Sequence, residues 1–104
     1  MFENDKKRYI TIGVAETIDI EIQIFLFELI DELVQSKVEI DYLQVFKLEM
    51  IRKNLEHNLK VTHSQEVPDY NQEYFINVNT PIDAKIFVID DGQSYVTMLL
   101  AEEY

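Results

Sequence analysis

Hydrophobic residues recur every three or four positions through residues 17–37, the longest periodic stretch in the chain. That spacing places them on one face of an α-helix. The predicted core-facing residues are Ile18, Ile22, Leu26, Leu29, Ile30 and Leu33. Thr17 or Asp19 is suited to cap the N-terminus, and a later start is left open because residues 19–24 alone alternate as a strand would. The pattern predicts one substantial helix over residues 17–37.

A second hydrophobic face lies on the other side of this predicted helix, where Ile20, Ile24, Phe27 and Val34 surround Asp31. A helix with two hydrophobic faces must bury both, either in its own domain or against a partner. Hydrophobic residues bordered by acids suit a protein interface, in a homodimer or with another protein. The predicted protein-binding residues are Ile20, Ile24, Phe27, Glu28, Asp31 and Glu32. The alternative is that the hydrophobic members of this set belong to the core.

Alternating hydrophobic and polar residues predict strands before and after the helix. The predicted strands cover residues 8–14, 41–50, 59–66, 85–89 and 95–100. Residues 59–66 give the weakest pattern of the five. Gly13 marks a bulge or the turn into the helix, and Gly92 supplies the positive φ that the turn of a C-terminal hairpin needs.

Two connections complete the predicted order. Residues 52–58 join their flanking strands in a long antiparallel hairpin. Residues 67–83 form an unusually long connection, which is either functional or contains a further element such as a short strand at 74–78.

The predicted order is strand, helix and then three or four further strands. One helix on one face of a mostly antiparallel sheet is an α+β two-layer sandwich. A chain of 104 residues can bury its own core, so we expect a single domain over residues 1–104. The other face of the sheet is then wet, covered by the 67–83 connection, or covered by a second molecule.

The net charge of the chain argues mainly against certain functions. The chain has 20 acidic and 9 basic residues and a net charge of −11, which disfavours direct binding to nucleic acid. The acids concentrate between residues 9 and 41, either as a solvated face or as a surface that meets something basic. The absence of cysteine and of any long hydrophobic segment leads us to expect a soluble, cytoplasmic protein that does not enter a membrane.

Candidate catalytic groups are few. A nucleophile would need His57 or His63 as its base, but no G-x-S-x-G elbow occurs, and we expect His63 to be an exposed strand histidine. An enzyme or small-ligand site formed by His63, Tyr70 and Tyr74 around the long connection is a lesser alternative. We therefore predict a non-enzymatic protein.

Cofactor and metal sites are not indicated either. Possible metal ligands are His57, His63, Glu66, Asp90 and Asp91, but their spacing matches no known zinc or calcium pattern. Asp90 and Asp91 beside Gly92 suit a hairpin turn instead. Two isolated glycines cannot form a phosphate-binding loop.

Three peptides carry a resemblance to a known family: DYLQVF at 41–46, THSQEVP at 62–68 and TMLLAEEY at 97–104. With these, the chain resembles the bacterial family catalogued as domain of unknown function 960, found in staphylococci and related bacteria. The resemblance extends over nearly the whole chain. It implies a single-domain cytoplasmic protein with no assigned activity, carried by chromosomes and by mobile elements.

Mobile-element context raises a second functional hypothesis. Small acidic proteins of such elements sometimes imitate DNA and block a nucleic-acid-binding enzyme, and charge complementarity would speed that association. The residues that would carry the imitation are Glu21, Glu28, Asp31, Glu32, Glu39 and Asp41.

Overall fold

Six β-strands and two α-helices form the fold in the computed structural model, which describes residues 1–53 and 56–104. In chain order the elements are β1 (Lys7–Ile10), α1 (Ile12–Thr17), α2 (Ile20–Gln35), β2 (Leu43–Met50), β3 (Leu59–Gln65), β4 (Tyr70–Ile76), β5 (Ala84–Asp90), β6 (Tyr95–Leu100) and a short 3₁₀ helix (Ala101–Glu103). Residues 54 and 55, inside the predicted hairpin connection 52–58, lie outside the described residues.

All six strands belong to one mixed sheet, in the order β1-β6-β5-β2-β3-β4. The β1–β6 pair is parallel and the other four neighbouring pairs are antiparallel. The prediction of an α+β fold is therefore confirmed, but four or five strands and one main helix are too few. The additional strand, β4, lies inside the connection predicted at 67–83, and it extends the sheet instead of covering one of its faces.

The N-terminal part of the fold differs from the prediction. β1 ends at Ile10, and the remainder of the strand predicted over 8–14 begins helix α1. The hydroxyl oxygen of Thr11 accepts a hydrogen bond from Val14 N at 3.2 Å, which caps the new helix. Gly13 thus lies within a helix and not at a bulge or a turn.

Helix α2 begins later than residue 17 because Asp19 is its cap, with Oδ1 accepting from Glu21 N at 3.4 Å. Thr17 belongs to α1. All six residues of the predicted core-facing stripe are buried, including Ile22, Leu26 and Ile30 with no exposed surface. Five of them, all except Leu33, pack in one hydrophobic cluster with the inward side chains of the sheet, such as Phe46 of β2.

The C-terminal hairpin is confirmed. β5 and β6 pair antiparallel, and Gly92 has the positive φ of +83° that favours glycine in the turn between them. Along the described chain, no helix combines the length and hydrophobicity that crossing a membrane requires.

Candidate interaction site

The N-terminal half of α2 presents the hydrophobic part of the predicted protein-binding surface. Ile20 is 62% exposed and Ile24 is 52% exposed. These residues are four positions apart in the helix, so their side chains lie one above the other on one face. Exposed branched side chains of this size at neighbouring positions are available to a partner.

The C-terminal half of the same surface is covered by a side chain from β1. The guanidinium carbon of Arg8 lies 4.8 Å from the centre of the Phe27 ring, and the guanidinium also forms an ion pair with Asp31. Phe27 is half-buried and packs against the core. Glu28 and Glu32 are exposed beside this cluster. The structure therefore divides the predicted surface into an open half and a half occupied by Arg8.

A groove of about 410 Å³ borders the open half on the α1 side. Its hydrophobic lining includes Ile10, Ile18 and Ile20, and Thr80 also lines it. Glu16 and Asp19 line the same groove, so hydrophobic and acidic side chains face it together.

A second groove of about 350 Å³ borders the helix on the β4 side. Ile24 lines it together with Ile76 and Val78, and Glu28 stands at the same groove. The segment between the two grooves is tied to the helix because the Glu21 carboxylate accepts a hydrogen bond from Asn79 N. The start of α2 thus forms a ridge with a hydrophobic groove on each side.

The six acids proposed to imitate DNA are not equally free. Glu21 accepts a bond from Asn79 N, and Asp31 is paired with Arg8. The Asp41 carboxylate accepts from the backbone of residue 67 at 3.3 Å. The remaining three acids, Glu28, Glu32 and Glu39, are exposed.

His63 occupies a different environment from the exposed one predicted for it. It is fully buried, stacked on Phe46 with ring centres 4.4 Å apart and contacted edge-on by Tyr70 at 5.3 Å. Burial lowers its pKa to about 4. The prediction was wrong because His63 continues the core-facing alternation of Leu59 and Val61 along β3 and pairs with the buried Phe46 of β2. The ring is therefore closed off from solvent.

Of the two tyrosines in the ligand-site alternative, Tyr70 packs on the His63 ring, whereas Tyr74 packs edge-on against Phe25 of α2 with ring centres 5.9 Å apart. Both are half-buried. The pKa of Tyr74 is raised to about 12, first by burial and then by its hydrogen bond with Tyr70. Tyr70 thus contacts both His63 and Tyr74, and each of the three side chains is engaged in packing.

A buried glutamine pair next to His63 was not foreseen from the sequence. The Gln65 side-chain oxygen accepts from Asp41 N at 2.9 Å and from the Gln44 amide at 2.8 Å. The Gln65 amide in turn donates to the carbonyl oxygens of Glu39 and residue 68. The sequence did contain one sign of this pair: Gln44 and Gln65 are polar residues at inward-facing positions of two predicted strands. This network holds the segment between α2 and β2 against β3.

The carboxylates of Asp90 and Asp91 accept backbone hydrogen bonds in the turn that their position beside Gly92 predicts. The buried Asp90 carboxylate accepts from Phe2 N at 2.6 Å, from Lys6 Nζ at 2.9 Å and from Gly92 N at 2.7 Å. Burial raises its pKa, but these hydrogen bonds outweigh burial and leave the pKa below its usual value. Residues 1–53 and 56–104 contain no group of three potential metal ligands close enough to share an ion.

Comparisons with known proteins agree with this fold. The family profile described as staphylococcal protein of unknown function (DUF960) matches residues 7–103, which confirms the resemblance seen in the sequence. The crystal structure of a protein of unknown function from Enterococcus faecalis has a TM-score of 0.79 and 23% identity, covering 99% of this chain and 94% of that chain. At this identity the likeness shows the fold alone. No curated protein matches the sequence.

Proposed function

This chain belongs to the DUF960 family of staphylococcal proteins of unknown function, and from that premise we propose that it is a non-enzymatic protein-interaction module of the bacterial cytoplasm. The observation that carries the proposal is the exposure of Ile20 and Ile24 on a helical ridge between two grooves. The absence of cysteine supports a reducing compartment.

The chemistry of the ridge favours a protein partner. Burying the exposed part of each isoleucine side chain would contribute roughly 1 kcal/mol to association. The acidic side chains at the grooves, such as Glu16 and Glu28, would form the polar rim that surrounds the hydrophobic centre of an interface. A partner with hydrophobic side chains bordered by basic residues would complement this surface, whether it is another protein or a second copy.

Photocrosslinking tests the proposal directly. A photoreactive amino acid at position 24 should crosslink the partner in staphylococcal cells. The same amino acid at position 12 should not, because Ile12 is also exposed, at 75%, but lines neither groove. Mass spectrometry would identify the captured protein.

Substitution then connects the partner to the ridge. The double variant Ile20→Ser, Ile24→Ser should lose the partner while Ile12→Ser retains it, and circular dichroism would verify that all variants fold. Equal capture at positions 12 and 24, or binding that survives the double substitution, would contradict the proposal.

The second candidate function is imitation of DNA by the acidic side of the molecule, and it is favoured by the distribution of charge. Glu28, Glu32 and Glu39 are exposed on the helix side of the chain, whose net charge is −11. Carboxylates arranged in this way would be drawn to a basic cleft.

Salt dependence and charge reversal separate this candidate from the first. Under imitation, Glu28→Lys, Glu32→Lys would abolish binding to a nucleic-acid enzyme, and raising the salt concentration would weaken it strongly. Glu102→Lys reverses an exposed acid in the C-terminal 3₁₀ helix and serves as the control. Binding that is insensitive to salt and to the helix reversals would exclude imitation.

A further inference from the structure

The face of the sheet opposite the helices carries its own hydrophobic patch. Side chains that alternate with the buried positions of β2, β5 and β6 point to this open face and are half-buried or exposed. We define the sheet patch as Leu43, Val45, Phe87, Ile89 and Leu99. Strand register makes the patch continuous, because Leu43 pairs with Ile89, Val45 with Phe87, and Phe87 with Leu99.

Aromatic side chains extend the patch at two sides. Tyr9 and Tyr95 contact each other edge to face with ring centres 5.5 Å apart. Tyr104 contacts the Phe87 ring in the same manner at 5.5 Å and is itself 71% exposed. The open face therefore has a hydrophobic centre of four aliphatic residues and Phe87, with tyrosines beside it.

Two lysines border the patch where β2 and β5 continue. Lys47 and Lys85 are directly paired across the two strands, and like charges in that position destabilise a sheet. Lys47 Nζ is 4.0 Å from the half-buried Glu49 carboxylate, and Lys85 Nζ lies 5.7 Å from the Phe87 ring. Within the described chain, Lys85 has no carboxylate at ion-pair distance. An anionic group placed between the two ammonium groups would relieve their repulsion.

The charge of this face is opposite to that of the molecule. Lys7, Lys47, Lys60 and Lys85 occupy outward positions of the strands, against Glu49 and Glu73. At the outward strand positions of this face, four lysines and two glutamates sum to +2 in a chain whose net charge is −11. Asp83, which lines the same groove as Lys47 and Lys85, lies 4.0 Å from Arg52. An acidic partner is attracted to this face and repelled by the rest of the surface, so charge both selects and orients it.

We propose that the open face of the sheet binds an acidic amphipathic helix of a partner protein. Its hydrophobic side chains pack on the sheet patch, and its carboxylates pair with Lys47 and Lys85. The patch spans three strands, with two residues on β2, two on β5 and one on β6, where Thr97 takes the position beside Ile89. It measures roughly 10 Å by 7 Å, which matches the diameter of a helix. This surface lies on the opposite side of the molecule from the α2 ridge, and binding there is independent of that ridge.

Other occupants fit the face less well. The open face of a second copy carries the same positive charge and the same lysine pair, so two such faces repel each other. Single-stranded nucleic acid stacks on aromatic platforms, whereas four of the five patch residues are aliphatic. The negative charge of the remaining surface would also repel phosphates.

A designed peptide tests the proposal with the whole protein. The probe is a capped helical peptide of about 18 residues with leucines at i, i+3, i+4 and i+7 and glutamates elsewhere, long enough to form a helix on binding. We expect it to shift the amide NMR signals of β2, β5 and β6, including Phe87. Lys47→Glu, Lys85→Glu should weaken its binding at least about tenfold. Lys37→Glu, Lys53→Glu changes the net charge equally at exposed positions elsewhere and should leave affinity within about twofold.

Every other outcome overturns the proposal in an identifiable way. No shift at the sheet patch, or equal affinity for both double variants, removes the site. Peptide shifts confined to α2 remove the sheet site but leave the proposed function standing. A dimer in sedimentation that Phe87→Ser dissociates assigns the face to a second copy. Binding of a fluorescent oligo-dT at the same amides, lost in the Lys47, Lys85 variant, assigns it to nucleic acid.

Discussion

His63 donates the hydrogen on Nε2 to the side-chain oxygen of Gln44 at 2.7 Å. The direction of this bond is fixed by the neighbouring network, since the Gln44 amide donates to Gln65 Oε1 and to Asp41 O and leaves only its oxygen to face the ring. His63 Nδ1 is therefore the unprotonated nitrogen. It is buried and has no hydrogen-bond partner among the described residues.

This arrangement predicts that the protein loses stability as the pH falls from about 6.5 to 4. Unfolded chains bind a proton on His63 near pH 6.5, whereas burial lowers the pKa in the folded state to about 4. Between pH 6.5 and pH 4 the unfolded state binds this proton and the folded state does not, so lowering the pH favours unfolding. Below pH 4 both states bind it, and the loss of stability does not increase further. The expected loss is about 3 kcal/mol in the free energy of unfolding, measured by urea denaturation at several pH values.

The variant His63→Gln isolates this contribution. Glutamine can donate to the Gln44 oxygen but does not titrate, so its unfolding free energy should change much less between pH 6.5 and pH 4.5. Identical pH profiles for the two proteins would show that His63 does not carry the effect.

The buried Asp90 carboxylate predicts a second stability effect. Asp90→Asn replaces the charged acceptor of Phe2 N and Lys6 Nζ by a neutral amide, and charge-assisted bonds of this kind are the stronger ones. We expect a loss of about 2 kcal/mol in the free energy of unfolding. Asp91→Asn is the matched control, because asparagine retains the oxygen that accepts the turn bonds from Gln93 N and Ser94 N. Equal effects of the two substitutions would refute the special position of Asp90.

Local sequence patterns were sufficient to predict α2 and the C-terminal hairpin. The 3.6-residue period alone located the buried stripe that includes Ile22 and Leu26, and Gly92 located the turn. These features depend on residues close together in the sequence. The strand predicted over 8–14 was right only as far as Ile10, because Thr11 acts as a helix cap and its hydroxyl accepts a hydrogen bond from Val14 N despite the β-branched composition around it.

Features that depend on distant parts of the chain could not be read in the same way. β4 is a largely exposed edge strand whose polar residues Asn71, Gln72 and Glu73 stand together, so its alternation is weak. His63 lies on the core-facing side of β3, and its stacking on Phe46 depends on the pairing of β3 with β2. The two halves of the α2 surface differ only because Arg8 arrives from a strand 23 residues before Asp31. The charge of the open sheet face follows from strand register, which the sequence does not determine by itself.

The contact of Arg8 with both Phe27 and Asp31 predicts a measurable coupling. Arg8→Met should cost about 1 kcal/mol in the free energy of unfolding, because it removes a partly exposed ion pair and a cation–π contact. In a double-mutant cycle with Asp31→Asn, we expect a coupling energy of about 0.5 kcal/mol that shrinks in high salt. A coupling of zero at low salt would mean that the ion pair contributes nothing in solution.

Gly13 and Glu103 approach each other so closely that an added methyl group would meet the carboxylate. A Cβ on Gly13 would lie 2.6 Å from Glu103 Oε2. The same carboxylate accepts from Thr11 Oγ1 at 2.6 Å and from Leu100 N at 2.8 Å, and these bonds lower its pKa. The contact links the start of α1 to the end of the chain.

The effect of Gly13→Ala on the free energy of unfolding is therefore expected to have opposite signs in the wild-type chain and in the Glu103→Ala variant. In the wild-type chain it should destabilise the protein, because the Glu103 carboxylate must leave its hydrogen bonds with Thr11 and Leu100. In the Glu103→Ala background the clash is gone, and the same substitution should stabilise α1 by about 0.5–1 kcal/mol through helix propensity alone. Thermal and urea unfolding of the wild-type chain, the two single variants and the double variant would measure the effect of Gly13→Ala in both backgrounds. If Gly13→Ala stabilises both backgrounds equally, the two residues are not in contact in solution.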